Sequence, residues 1–126
     1  QLQPIDAYLA GQRKELVLGV VLPEPELRCA TRRISRNADG LAVMTAAVAL
    51  DALGEMRVAL AGVTPQPMRL RDVERHELRD AALEAAVSAL IAPRADLGGS
   101  VAYKRYISGV VVADLLVECQ QQEVQA

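Results

Sequence analysis

The 126-residue chain is long enough for one compact domain, and its 52% hydrophobic and 24% charged residues argue against a disordered polymer. The formal net charge is −2, with neither a concentrated basic patch nor a run of stacking aromatics, so nucleic-acid binding is not expected. No apolar run reaches the ~18 residues that a membrane-spanning helix needs.

The first third of the chain predicts a short helix followed by strands. Residues 4–10 predict a helical turn closed by Gly11. Residues 16–22 form a β-rich apolar run that predicts a buried strand, ended by prolines that cannot donate to a ladder. Residues 27–35 predict an arginine-rich second strand, and residues 37–40 have the Asn, Asp and Gly chemistry of a turn.

The middle of the chain predicts a hairpin. Residues 41–50 could be helix or strand on propensity, and their length together with the turn at residues 51–55 favours a strand. Residues 56–63 alternate with the period of two that is typical of a sheet. Residues 68–78 are charged, and their pattern is ambiguous as to secondary structure.

The last third predicts two helices. Asp80 is the expected N-cap of a helix over residues 81–92 that Pro93 ends, and Ser100 is the expected N-cap of a final helix that ends near Gln121. One face of the final helix is expected to carry Tyr103, Ile107, Val110, Asp114 and Val117, with Tyr106, Val111 and Val112 nearby. Strands followed by helices predict an α+β fold: a small antiparallel sheet of three or four strands, covered on one face by about three helices.

A cluster of Arg32, Arg33 and Arg36 precedes the predicted turn. An arginine fork matches the oxygens of carboxylates and phosphates, so the cluster is a candidate anion site. On the residues alone, a solvated edge strand whose charges suppress aggregation is the favoured alternative. Asp39 could position these arginines or simply form the turn.

Other candidate groups favour structural interpretations. Residues 98–100 could bind an anion at a helix start, although a linker and cap is the favoured interpretation. His76 is the only histidine and lies in a charged run, so it is expected on the surface. Cys29 and Cys119 are expected to act as small hydrophobes in a reducing, cytoplasmic environment. No catalytic set and no metal-ligand spacing is apparent.

Three segments, in order, resemble the FAD-binding medium subunit of molybdenum hydroxylases, the carbon monoxide dehydrogenase and xanthine dehydrogenase family. Residues 32–42 are similar to its basic stretch leading through a turn into an apolar strand. Residues 57–69 (Arg-Val-Ala-Leu-Ala-Gly-Val-Thr-Pro-Gln-Pro-Met-Arg) resemble its "A-R-I-A-L-G-G-V-A-P-x-P-x-R". Residues 93–105 resemble its "P-x-x-D-x-R-x-S-A-x-Y-R", with Gly98 and Lys104 where the family often has arginine.

The resemblance implies that residues 1–25 end a preceding FAD-binding domain and that residues 26–126 form the flavoprotein C-terminal domain. It implies packing against the FAD domain near the flavin edge, where electrons pass from iron–sulfur clusters through FAD to NAD or another acceptor. Iron–sulfur and molybdenum subunits are then the expected partners. Arg32, Arg36 and Asp39 become the expected cofactor-binding residues, although the pyrophosphate-holding segment of the family lies upstream.

The chain is therefore expected to be one part of an FAD-dependent oxidoreductase and not to be catalytic as an isolated domain. A stand-alone, non-catalytic interaction module with the same fold is the alternative, and a small independent enzyme is a third hypothesis that lacks a convincing residue set. A free sheet edge could also drive homodimerisation.

Overall fold

Four antiparallel strands and a set of helices form an α+β fold in the computed structural model, which describes residues 1–12, 15–24 and 26–122. The elements are α1 (Ile5–Ala10), β1 (Arg28–Ser35), β2 (Ala42–Leu50), β3 (Met56–Ala61), β4 (Met68–Arg69), α2 (Arg71–Arg75), α3 (Asp80–Leu90) and α4 (Val101–Gln121). The strands follow chain order, β1-β2-β3-β4. The fold class predicted from the sequence is therefore confirmed.

The sheet has one buried face and one outer face. Val48 of the central strand β2 pairs with Ala30 of β1 and Val58 of β3, and all three are buried under the helices. The neighbouring Ala47 pairs with Ala59 on the opposite, outer face. Because side chains alternate along a strand, the register that buries Val48 turns the alanines outward.

Helix α4 is the long element that covers the buried face. It begins where the hydroxyl oxygen of Ser100 accepts the backbone N–H of Tyr103 at 3.1 Å, so the predicted N-cap is confirmed. It packs on β1 and β2 and also on α3. At its far end the buried Cys119 thiol donates to the Val48 carbonyl at 3.1 Å.

The buried face of α4 differs in part from the predicted one, because Val111 and Val112, expected near that face, are buried while Asp114 is exposed. Tyr103 and Val117, expected on the packed stripe, are 42% and 44% exposed. The buried residues of α4 are Lys104, Ser108, Gly109, Val111, Val112, Leu115, Leu116 and Cys119. Polar and small residues lie inward here because the neighbouring elements supply hydrogen-bond partners and approach too closely for large side chains.

Close packing of α3 on α4 depends on Gly109. A Cβ added there would lie 2.6 Å from the carbonyl oxygen of Glu84 in α3. That separation is shorter than van der Waals contact, so the two backbones meet where α4 has no side chain.

Two other local predictions were wrong. Residues 16–22 form no strand and are exposed, with Leu18 92% exposed, because no described strand lies beside them to pair with. Helix α3 begins at Asp80, which has φ of 49°, and no side chain caps it. The helix ends at Leu90, before Pro93. The predicted domain boundary at residue 25 lies outside the described residues.

The two cysteines also differ. Cys119 is buried as expected, whereas Cys29 is exposed because its side chain points from β1 to the outer face of the sheet. Over the part of the chain that the structure describes, no helix is long and apolar enough to cross a membrane.

Candidate functional site

The candidate site is the end of the sheet where β1 turns into β2, which we call the loop end. There the turn at residues 36–41 meets the loop at residues 91–100 that joins α3 to α4. Arg36 Nη1 donates to the carbonyl oxygen of Leu97 at 2.5 Å and so joins the two segments. Arg33 folds back onto its own turn, donating to Ser35 Oγ at 3.1 Å and to the carbonyl of Gly40.

Arg32 is not brought to the loop end with Arg36. Its guanidinium forms ion pairs with two carboxylates in the second half of α4, Asp114 at 3.3 Å and Glu118. The side chain of Arg32 is 33% exposed. Two carboxylates thus hold Arg32 against the helix, where it fastens edge strand β1 to α4.

Asp39 lies exposed within the turn that the sequence predicted. Within the described residues it makes no hydrogen bond or ion pair with Arg32 or Arg36, so it does not orient them directly. Of the two roles considered for Asp39, the turn is the one that its position fits. Any contact of these three residues with a cofactor stays a prediction.

The loop before α4 is built around Asp96. Its backbone pairs with Gly99 in both directions at 3.1 Å, which makes a tight turn with Leu97 and Gly98 at its tip. The carboxylate oxygen Oδ1 accepts the Gly98 N–H at 2.7 Å and the Lys104 ammonium at 2.7 Å. These two hydrogen bonds hold the pKa of Asp96 below its ordinary value, and the bond from the Lys104 ammonium has the larger effect.

Lys104 is a functional candidate that the sequence reasoning missed. A lysine on a helix is expected to be solvated, yet this side chain is 3% exposed. Its ammonium also donates to the Arg94 carbonyl at 2.7 Å. The signal in the sequence was the spacing of Asp96 and Lys104 in the third family-like segment.

The surface of the loop end combines a cation with apolar residues. Leu41 and Leu97 are 94% and 88% exposed. Gly99 has φ of 148°, and a Cβ there would meet the Tyr103 ring at 2.6 Å, so the ring lies over this glycine. Residues 98–100 therefore act as a turn and helix cap, in agreement with the favoured interpretation.

The opposite end of the sheet carries a shallow cleft of about 310 Å³. It is lined by Gly54, Glu55, Met56, Arg57, Arg69, Glu74, Arg75, Glu77 and Arg79. Glu74 accepts the Val58 N–H at 2.8 Å and pairs with Arg69 at 2.8 Å, which raises the pKa of Arg69. His76 is exposed, as predicted. Three of the arginines that line the cleft, Arg57, Arg69 and Arg75, form ion pairs with carboxylates of the same chain.

Among the described residues, no group of three or more His, Cys, Asp or Glu side chains is arranged to hold a metal ion.

The chain is similar to the protein YgfM from two Escherichia coli strains, K12 and O157:H7. Each is 51% identical over 117 residues, which cover 93% of this chain and 45% of the relative. The chain thus spans less than half the length of these curated relatives. No family model matches the chain.

Solved structures share the fold. A chain of carbon monoxide dehydrogenase from Hydrogenophaga pseudoflava, in a form lacking the Mo-pyranopterin moiety of the molybdenum cofactor, is 26% identical with a TM-score of 0.65, over 75% of this chain and 37% of that one. Carbon monoxide dehydrogenase from Oligotropha carboxidovorans is 22% identical with a TM-score of 0.65, over 75% and 37%. Quinoline 2-oxidoreductase from Pseudomonas putida 86 is 17% identical with a TM-score of 0.62, over 78% and 38%.

Proposed function

We propose that this chain is the C-terminal domain of the FAD-binding subunit of a molybdenum hydroxylase. The observation that carries the proposal is the fold shared with a carbon monoxide dehydrogenase chain at 26% identity and a TM-score of 0.65. The order of the three family-like segments supports it independently. In this role the domain packs against the FAD domain and helps to form the flavin edge.

The exposed apolar run supports the proposed domain division. Five large side chains between residues 16 and 22 are at least 65% exposed: Leu16, Leu18, Val20, Val21 and Leu22. A run of this kind normally pairs within a sheet and hides from water. We propose that residues 1–25 complete the preceding FAD-binding domain, whose sheet would cover the run, and that residues 26–126 form the second unit.

The loop end fits an approach to FAD rather than a complete FAD site. Arg36 offers an exposed guanidinium beside exposed leucines, a combination suited to the anionic and apolar parts of a flavin nucleotide. Arg32 shares its charge with two carboxylates, so Arg36 is the stronger candidate for contact. When bound, FAD supplies the capacity to accept and release electrons between iron–sulfur clusters and a final acceptor.

Partners follow from the same proposal. The domain would work in the cytoplasm within an assembly that contains iron–sulfur and molybdenum subunits. The solved structures that share the fold include a molybdenum-cofactor carbon monoxide dehydrogenase and a quinoline 2-oxidoreductase, which supports this expectation. The molybdenum subunit, not this chain, would select the substrate.

The first test is to purify the natural gene product that contains this chain and to measure its mass and its flavin content. We expect a longer polypeptide with about one FAD per chain, visible as flavin absorbance and confirmed by chromatography of the released cofactor. The 126-residue chain alone serves as the comparison and is expected to retain no FAD. A natural product that contains no flavin would overturn the proposal.

A substitution pair tests the contribution of the loop end. In the flavin-containing protein, Arg36→Ala should slow the reduction or reoxidation of bound FAD or weaken its retention. Arg75→Ala is the matched control, because Arg75 is 71% exposed and lies in the cleft at the opposite end of the sheet. Equal behaviour of the two variants would remove Arg36 from the flavin edge.

A stand-alone interaction module is the second candidate, and the exposed run at residues 16–22 also favours it. In that case the run would bind a partner sheet rather than an upstream domain. The two candidates differ at Leu18→Glu. This change should leave the 126-residue chain stable in both cases. It should destabilise the natural gene product only if the run packs inside that product, whereas in a stand-alone module it should instead abolish partner binding.

A further inference from the structure

Lys104 is a buried cation whose ammonium is hydrogen-bonded to the loop before α4. Its side chain is 3% exposed, and its ammonium donates to the Arg94 carbonyl and the Asp96 carboxylate, each at 2.7 Å. Removing a lysine from water is unfavourable unless its charge is matched and its donors are used. The loop just before α4 meets both conditions, because it supplies a carboxylate and a carbonyl to the Lys104 ammonium. These two contacts fix the loop to α4.

The contacts continue from this loop to Arg36. The Asp96 carboxylate that pairs with Lys104 also accepts the Gly98 N–H at 2.7 Å. Leu97 lies between these two residues, so its backbone is held on both sides. The carbonyl of Leu97 in turn accepts Arg36 Nη1 at 2.5 Å.

We infer that Lys104 is a positioning residue that sets the guanidinium of Arg36 through Asp96 and the Leu97 carbonyl. The inference rests on the proposed function for its consequence at the flavin edge, while the positioning itself is a property of this chain. Lys104 contacts no flavin in this scheme. It determines where the exposed cation at the loop end is presented to an anionic cofactor or acceptor.

The first experiment measures positioning in the 126-residue chain by ¹H–¹⁵N NMR. In Lys104→Met, the Arg36 side-chain signals and the Leu97 and Gly98 amide signals should shift and exchange faster with water. Lys104→Arg keeps a donor and should restore them. The side-chain signals of Arg32, which is paired with α4 carboxylates, serve as the internal control and should not move.

A second variant guards against a folding defect. Asp96→Asn changes an exposed side chain, keeps an oxygen for the Gly98 N–H and weakens only the link to Lys104. It should shift the Arg36 signals in the same direction by a smaller amount. If Arg36 and Leu97 keep their wild-type signals in both variants, Lys104 is purely structural and the inference fails.

The second experiment uses the flavin-containing protein, stripped of its flavin, and measures the FAD concentration that half-saturates the recovery of flavin binding. Lys104→Met should raise this FAD concentration by about tenfold, the effect of one displaced charge-assisted contact. In an Arg36→Ala background the same substitution should add nothing, because its target is gone. An additive effect would overturn the inference.

The two experiments separate the claims. NMR shifts at Arg36 without any flavin in the natural protein would refute the proposed function and leave the positioning intact. A flavin-containing protein whose Arg36 signals ignore Lys104 would refute the positioning and leave the proposed function intact.

Discussion

Replacing Gly109 by alanine should destabilise the protein, although the same change ordinarily favours a helix. An alanine in a helix interior is about 1 kcal/mol better than glycine. Here the new Cβ would lie 2.6 Å from the Glu84 carbonyl oxygen, against an ordinary contact of at least 3.4 Å, so the helices must separate by the difference of 0.8 Å. Overpacking of this kind typically costs about 1–3 kcal/mol.

Because the clash is with backbone rather than a flexible side chain, we take the upper part of that range. The net loss is then about 1–2 kcal/mol after the helix-propensity gain, or roughly 3–8 °C in Tm for a domain of this size. Urea and thermal unfolding followed by circular dichroism measure it. Ala102→Gly, an exposed change in the same helix, calibrates propensity and should cost less than about 1 kcal/mol. A Gly109→Ala variant as stable as wild type would refute the close-packing argument.

Three further predictions concern charge and thiol reactivity. The hydrogen bond from Lys104 holds the pKa of Asp96 below its ordinary value, so the stability that Asp96 contributes is present above its unfolded pKa and lost as the pH falls through its folded pKa. The advantage of wild type over Asp96→Asn should therefore shrink below about pH 4. Cys29 should react quickly with a thiol reagent and Cys119 slowly, since burial raises the pKa of the Cys119 thiol. Glu74→Gln should cost about 1 kcal/mol by removing a charged hydrogen-bond partner.

Each of these predictions has an outcome that would contradict it. A constant difference between wild type and Asp96→Asn down to pH 2 would mean that the ion pair is not formed in solution. Two thiols that react at the same rate without denaturant would contradict the burial of Cys119. Unchanged urea unfolding in Glu74→Gln would mean that its neutral amide serves the Val58 N–H and Arg69 equally well.

The strands and turns were predictable because their signals are local. The arginine-rich strand β1, the β2–β3 hairpin and the Ser100 cap all follow from alternation, turn residues or capping chemistry within a few positions. The short strand β4 and helix α2 fall in the stretch left open, where the charged sequence favours neither state. Their positions depend on pairing with β3 and on Glu74, which reaches back to the Val58 N–H.

The failures concern surfaces that the local sequence does not specify. Residues 16–22 have the composition of a buried strand, but burial requires a partner that lies beyond their own pattern. The buried face of α4 was misassigned because Lys104 and Gly109 lie on it. A lysine can be buried only when oxygens outside its helix receive its ammonium, and a glycine is needed only where another backbone approaches, so neither could be identified from periodicity alone.

The order of folding is constrained by the position of α4, which is synthesised after all the strands that it covers. The meander of β1, β2 and β3 can form from neighbouring segments, yet the contacts that cover it join residues far apart in the chain, such as Arg32 with Asp114 and Val48 with Cys119. During synthesis the apolar face of the sheet therefore stays open until the last helix has left the ribosome. A chain truncated before Val101 should collapse into aggregates, so α4 acts as the closing step of folding.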